Sequence, residues 1–349
     1  MKHDRPCARL RGRLHGLGAA LLVAGLTLLF FWKLVFTNLI LVGVDSFLYF
    51  YPYKTYVAQA LSEGRFPLWN PHLFMGAPLL ANMQTAILYP LHWPALWLSA
   101  PKQVAASIVL HVMLAGWGTL AFARHSLKLS WLGALTAAVI FALGGFVGAQ
   151  AEHVNQLNVI AWLPWTFLLL DVAVESRRRV IPTLGLGLMI GLMLLAGHAQ
   201  ATYICLVGLG LYALAGGETN TKYQIANQQI SKSASQRVNE SASEQVSKSA
   251  SQQGSKSANH GSRITDHGSR VTDHTWLATA RAYLVSRLPY LGVLAAAVGI
   301  GVLLAAVQLL PTLELSRLSV RSGRVPYREV ISFSLRPWWL HYTLLPPFG

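Results

Sequence analysis

Residues 105–149 read AASIVLHVMLAGWGTLAFA, then RHSLKLS, then WLGALTAAVIFALGGFVGA. Two apolar runs, Ala105–Ala123 and Trp131–Ala149, flank a short loop that carries Arg124, His125 and Lys128. A helix needs about 20 apolar residues to cross the hydrocarbon of a bilayer, and inside it every backbone polar group has to be satisfied within the segment. The stretch therefore reads as two membrane-spanning helices joined by a basic turn.

The pattern extends in both directions. Upstream, a tail with Lys2, Arg5, Arg9, Arg11 and Arg13 precedes an apolar run from Leu14 to Phe36. This run is longer than a signal-peptide core and no small-residue cleavage site follows it, so it reads as an uncleaved first span with the N-terminus cytoplasmic. Downstream, further runs lie at Leu157–Val172, Val180–Leu195, Ala201–Ala215 and Leu288–Leu310. The expected fold is all-α, a polytopic transmembrane helix bundle with about seven spans and a long first outer loop, 41–104. Composition agrees: 53% of the 349 residues are hydrophobic and 12% charged, with a mean hydropathy of +0.43, whereas soluble domains carry about 25% charged residues.

The formal charge of +15 would suggest nucleic acid in a soluble protein. Here the basic residues fall in loops between apolar runs, so they are read as a topology signal and no nucleic-acid partner is expected. With the N-terminus inside, the short inner loops hold Arg124, Lys128, Arg177, Arg178 and Arg179, while the short outer loops QAEHVNQ and GHAQ hold no Lys or Arg. That asymmetry is the positive-inside pattern of a multi-pass protein in a bacterial plasma (inner) membrane, with the lipid bilayer as its surroundings. The tail after Leu310, with Arg317, Arg321, Arg324 and Arg328, departs from it.

Segment 41–104 is aromatic and rich in Pro, Gly and Asn. Within it Ala86–Ala100 is apolar but short and broken by Pro90 and Pro94, which reads as an interfacial or re-entrant piece rather than a span. Three regions result: an N-terminal transmembrane region over 1–216, a low-complexity insert over 217–275, and a further helix with an outer loop over 276–349. SKSASQ at 231–236 returns at 247–252, and HGSRITD at 260–266 is followed by HGSRVTD. So polar a segment buries no core, and the recurring His260, His267 and His274 read as repeat duplication rather than as a metal site. The ending LLPPFG reads as the break point of a longer protein. Of the two cysteines, Cys7 lies in the basic tail and Cys205 in an apolar run, too far apart in depth for a disulfide.

Alternation of the spans gathers the unusual polar residues on the outer side: Asp45, Glu152, His153, Asn155, His198 and Glu314. Ionisable groups near membrane depth are costly and default to functional candidates. Each has a plainer reading. Asp45 could cap the helix that follows, Glu152 and His153 could be a solvated loop pair, His198 could bond a neighbouring helix, and Glu314 could be a surface acid. His111, inside the second span, reads as an interhelical hydrogen bonder. Trp69, Trp93, Trp97, Trp162 and Trp165 read mostly as interface-belt residues.

The strings VDSFLYFYPYK, FPLWNPHLFMGAPLLANMQTAILYP, AEHVNQLNVIAWLPW, LAGHAQATY and QLLPTLELSRLSVR, in this order, resemble the bacterial YfhO family of membrane proteins. The resemblance covers about residues 15–216 and 276–349. That family resembles the GT-C glycosyltransferases, which take sugars from polyprenyl-phosphate carriers, and its members are implicated in decorating cell-envelope polymers. The resemblance implies a polyprenyl-phosphate sugar donor and a glycopolymer or glycolipid acceptor. GT-C enzymes carry an acid in the first outer loop, which makes Asp45 the expected base for the acceptor hydroxyl. His153 and His198 become phosphate partners or positioning groups, Arg317 and Arg321 phosphate-binding cations, and Trp69 and Asn70 sugar contacts. Glu152 and Glu314 would bind sugar hydroxyls or a divalent metal, the metal being undecided. The rival expectation is a transporter or flippase of lipid-linked saccharides, which would use the same polar cavity without chemistry.

Overall fold

The computed structural model describes residues 6–73, 75–215 and 275–318. Arg321, Arg324 and Arg328, the repeats within 217–274 and the ending LLPPFG lie outside the described residues. The chain is helical nearly throughout: α1 (Pro6–Phe30), α2 (Trp32–Phe36), α3 (Tyr51–Ser62), α4 (Ala100–His125), α5 (Trp131–Leu143), α6 (Gly145–Ala149), α7 (Val154–Ile160), α8 (Leu163–Glu175), α9 (Val180–Leu195), α10 (Ala199–Ala215) and α11 (Thr275–Leu318). A two-residue hairpin interrupts this pattern, with β1 (Trp69–Asn70) antiparallel to β2 (Ala77–Pro78).

Four helices among the described residues are long and apolar enough to cross a membrane: Ala100–His125, Trp131–Ala149, Val154–Glu175 and Tyr283–Leu318. Leu14–Phe30, Val180–Leu195 and Ala199–Ala215 are apolar but shorter. The Trp131–Ala149 helix breaks between α5 and α6 at Gly144, where an added Cβ would lie 2.3 Å from the Ile140 carbonyl oxygen. The Val154–Glu175 helix breaks between α7 and α8 just before Pro164, which cannot supply the amide hydrogen a continuous helix needs. Hydropathy placed this fourth run at Leu157–Val172. The helix starts earlier because Asn155 and Asn158 in its first turns are buried, each with a hydrogen-bond partner.

Packing follows the logic of a membrane bundle, with small residues between helices and large apolar ones outside. Ala134, Ala138 and Ala142 of α5 are buried, while Leu132 and Ile140 are exposed. Between α9 and α11, Gly187 abuts Ile300, Gly191 abuts Leu304 and Gly301 abuts Ile190; a Cβ on Gly187 would sit 2.6 Å from Ile300 Cγ2. The spacing of Gly187 and Gly191 is the small-xxx-small pattern that lets backbones approach. Leu184, Leu188, Leu303 and Val307 face outward. α11 packs chiefly on α9, so the segment after the insert continues the same bundle.

The two ends of the bundle differ. At one end the α4–α5 and α8–α9 connections lie together, joined by His125 Nε2 and Glu175 Oε2 at 3.4 Å. Arg124 stacks on Trp131 there, 4.3 Å from its ring centroid. At the other end, segment 41–99 covers the helix ends. It forms no long helix between Ala86 and Ala100, only a 3-10 stretch, Pro90–Ala95. α11 reaches up to it: Gln308 Nε2 donates to the Leu80 carbonyl at 2.6 Å, and Thr312 Oγ1 to that of Ala81 at 2.9 Å.

Candidate functional site

The polar residues of the second end meet where three chain connections converge. Asp45 stands at the N-cap of the helical turn that leads into α3, yet its side chain makes no capping bond. His153 holds the same place before α7 and does not cap it either. Instead, His153 Nδ1 lies 2.9 Å from Asp45 Oδ2, across 108 residues of sequence, and both side chains are about half exposed. Nδ1 is thereby the protonated nitrogen of the neutral ring, and Nε2 is left as an acceptor. The capping reading of Asp45 gives way to this pair, while His153 stays about half exposed in its connection, as a solvated loop residue is. Glu152 lies over Gly43, where an added Cβ would be 2.5 Å from its carboxyl carbon.

His198 enters from the α9–α10 connection. Its Nδ1 accepts the Ala201 amide hydrogen at 3.0 Å, so it caps α10 rather than bonding a neighbouring helix. With Nδ1 an acceptor, the neutral ring carries its proton on Nε2. Burial lowers its pKa below 6.5, and the nearby His153 adds to the shift. Gly197, at φ +88°, brings the chain close under the Met83 carbonyl, a conformation that suits glycine. Asn155 is buried and donates from Nδ2 to the Gln84 carbonyl at 2.6 Å, which anchors that turn. Asp45, His153, His198, Asn155, Gln84, Gln156 and Phe50 line a cavity of about 80 Å³, enough for a phosphoryl or hydroxyl group rather than a whole sugar.

A larger cavity of about 470 Å³ adjoins it through Gln84, which lines both. Asn70, buried on β1, opens onto it, as do Asn82, Tyr53, Thr312 and Ser316. Trp69 does not line it; its indole covers Gly76, which has φ +120°. Glu314 and Arg317 are exposed on the last turns of α11 and line neither cavity. Arg321 lies outside the described residues.

A second polar cluster, of which the sequence reading named only His111 and Trp162, is buried where segment 41–99 meets α4 and α7. Lys54 Nζ lies 3.4 Å from His92 Nδ1. His92 Nε2 lies 3.1 Å from Asn158 Nδ2 and 3.2 Å from Ser107 Oγ, and Ser107 donates to Asn158 Oδ1 at 3.0 Å. His111 Nδ1 sits 2.7 Å from the Ser107 carbonyl, so it carries the proton, and Nε2 accepts from Tyr89 Oη at 2.6 Å. Trp162 Nε1 donates to the same Tyr89 oxygen at 2.9 Å. His111 thus bonds its own helix and the connecting segment. Trp162, buried, and Trp165, whose Nε1 donates to the Leu114 carbonyl, belong to the interior rather than to an interface belt. Burial lowers the Lys54 pKa to about 8 and holds His92 well below 6.5, the latter with a contribution from the Lys54 charge.

Among the described residues no group of three or more His, Cys, Asp and Glu side chains is arranged to hold a metal ion. Cys205 is a buried free thiol. Fold and site together define a helical membrane-type bundle with a paired acid and imidazole in an open polar cavity at one end. Compared with known protein families, curated proteins and solved structures, the chain matches none.

Proposed function

We propose that this chain is a polytopic glycosyltransferase of the GT-C type, akin to the YfhO family its motifs resemble. In this reading it crosses a bacterial plasma membrane about seven times with its N-terminus in the cytoplasm. The end carrying Asp45 faces outward, and there a sugar passes from a polyprenyl-phosphate carrier to a cell-envelope glycopolymer or glycolipid. The observation that carries the reading is the Asp45–His153 pair, open to solvent, facing His198 in one cavity and joined at Gln84 to a second cavity of ligand size.

The chemistry assigns a task to each group. Asp45 Oδ2 is held by His153 Nδ1–H, which leaves Oδ1 to take the proton from the acceptor hydroxyl. The acceptor oxygen then bonds the sugar anomeric carbon as the bond from that carbon to the phosphate oxygen breaks, and the electron pair departs with the polyprenyl phosphate. His198 Nε2–H donates to a phosphate oxygen as its charge grows, and Glu152 binds a sugar hydroxyl. His198 takes this role ahead of Arg317, which lines neither cavity.

Sugar transfer from a polyprenyl-phosphate donor, measured in membranes carrying the full chain, tests the reading. Asp45→Asn is expected to lower transfer by about 10²–10⁴-fold, the usual contribution of a positioned base, at equal membrane insertion. Undiminished transfer by the variant overturns the base. Donor movement across the bilayer without transfer by either protein replaces the enzyme with a flippase.

A further inference from the structure

The 470 Å³ cavity beside the Asp45 site has the size of a ligand pocket and a distinctive lining. None of the described residues that line it is charged. Its polar groups are amides and hydroxyls with defined free valences. Asn70 Oδ1 accepts the His72 amide hydrogen at 3.0 Å, and Asn82 Oδ1 that of Gln84 at 3.2 Å. With its carbonyl end held, the Asn70 NH₂ remains to donate, whereas the Asn82 NH₂ is turned to the hydroxyls of Tyr49 and Tyr53. The Gln84 side-chain amide bonds no described residue, while Ser316 spends its hydroxyl hydrogen on the Leu313 carbonyl at 2.7 Å and keeps its lone pairs. Leu73, Leu79 and Leu315 supply apolar surface between these groups.

Sugar hydroxyls both donate and accept, and a pyranose ring has apolar C–H faces; amides beside leucines match both. A phosphate has no such match among the described lining residues, which offer no cation to replace the hydration an anion loses on leaving water. We infer that this cavity is an acceptor subsite that takes an uncharged saccharide and discriminates against phosphate-bearing units. The acceptor role rests on the glycosyltransferase reading; the saccharide preference rests on the lining itself. Gln84, which borders both cavities, is the group placed to guide a bound hydroxyl towards Asp45.

Saturation-transfer NMR on the purified full chain in lipid nanodiscs tests this, with methyl β-D-glucopyranoside and sn-glycerol 3-phosphate as probes. The glucoside is expected to bind and glycerol 3-phosphate neither to bind nor to compete. Gln84→Leu and Ser316→Leu should weaken glucoside binding about tenfold, the scale of one or two lost hydrogen bonds, at unchanged melting temperature. Binding or competition by glycerol 3-phosphate, or glucoside binding indifferent to both leucine variants, overturns the proposal. Glucoside binding at this cavity with no transfer in the membrane assay leaves the saccharide site standing and overturns the enzyme. Transfer onto a phosphate-bearing acceptor with no glucoside binding does the reverse.

Discussion

Two histidine clusters lie at the same end of this bundle, and they differ in what their nitrogens have left to do. At the Asp45 site, His153 and His198 each spend Nδ1 on the protein, and both residues line a cavity. In the buried cluster, His111 spends both nitrogens on Ser107 and Tyr89, and His92 lies between Lys54, Ser107 and Asn158. The first arrangement keeps spare hydrogen-bonding capacity beside open space. The second consumes it: His92 and His111 are 7% and 0% exposed. His111 lies inside α4 whereas His153 and His198 lie in connections, and the two clusters differ further in unused valence. The first cluster keeps polar groups at a cavity, and the second fastens segment 51–95 onto α4 and α7.

The largest effect that can break this distinction comes from truncating one histidine of each kind. His153→Ala removes the group that orients Asp45, and transfer is expected to fall about hundredfold. Its stability should stay within about 0.5 kcal/mol of the parent, as for exposed positions generally. His111→Ala should do the opposite and cost roughly 2–4 kcal/mol, because it opens a void and leaves the Tyr89 hydroxyl buried without its acceptor. Transfer assays paired with thermal melts in detergent read both. A destabilised His153 variant with full activity would erase the contrast.

A second effect comes from pH. Lys54 has its pKa lowered from 10.5 to about 8 by burial. Between these values the unfolded chain binds the proton more fully than the folded one, so stability rises with pH across about 8 to 10.5. The gain is on the order of 3 kcal/mol, and it is absent below pH 8, where both states are protonated. His92, also lowered, acts with the same sign below 6.5, where stability falls as the unfolded state takes up the proton first. The melting temperature of the parent, measured from pH 7 to 10.5, should therefore climb relative to Lys54→Met, which has no charge to desolvate. Parallel curves would mean that Lys54 is hydrated and the cluster is not buried.

The division into legible and hidden features follows from what each depends on. Ala105–Ala123 and Trp131–Ala149 were readable because hydrocarbon imposes its own length on a run of side chains. The extra turns of α4 and α7 were not, since hydropathy marks the lipid-buried part of a helix and not the polar turns beyond it. Alternation of the spans groups Asp45, Glu152, His153, Asn155, His198 and Glu314; of these Asp45, His153, Asn155 and His198 line one cavity, and Glu152 and Glu314 line neither that cavity nor the larger one. The Asp45–His153 bond was not legible, for it joins residues 108 positions apart. Lys54 gave no signal, because a lysine after FLYFYPY reads equally well as an interfacial side chain, and only the packing of α3 against Pro90–Ala95 and α4 buries it. The Gly187–Gly191 spacing lies inside an apolar run, where hydropathy is high throughout and does not mark which face packs on a neighbour.

The smallest expected effect sharpens the contrast most. A methyl group added at Gly43 would lie 2.5 Å from the Glu152 carboxyl carbon and its Oε1, the far end of a flexible side chain. In a closed cluster such an intrusion would cost 1–3 kcal/mol by overpacking, in order of magnitude. Here the carboxylate can swing away into the open end, so Gly43→Ala should change stability by less than about 0.5 kcal/mol. If Glu152 holds a sugar hydroxyl, its displacement should raise the KM for the donor or acceptor about fivefold, the scale of one lost hydrogen bond, with kcat little altered. Glu152→Gln keeps the shape and exchanges one acceptor for a donor, so it should raise KM less. Unchanged KM in both variants would reduce Glu152 to a filler over Gly43 and leave Asp45, His153 and His198 as the working groups of the open end.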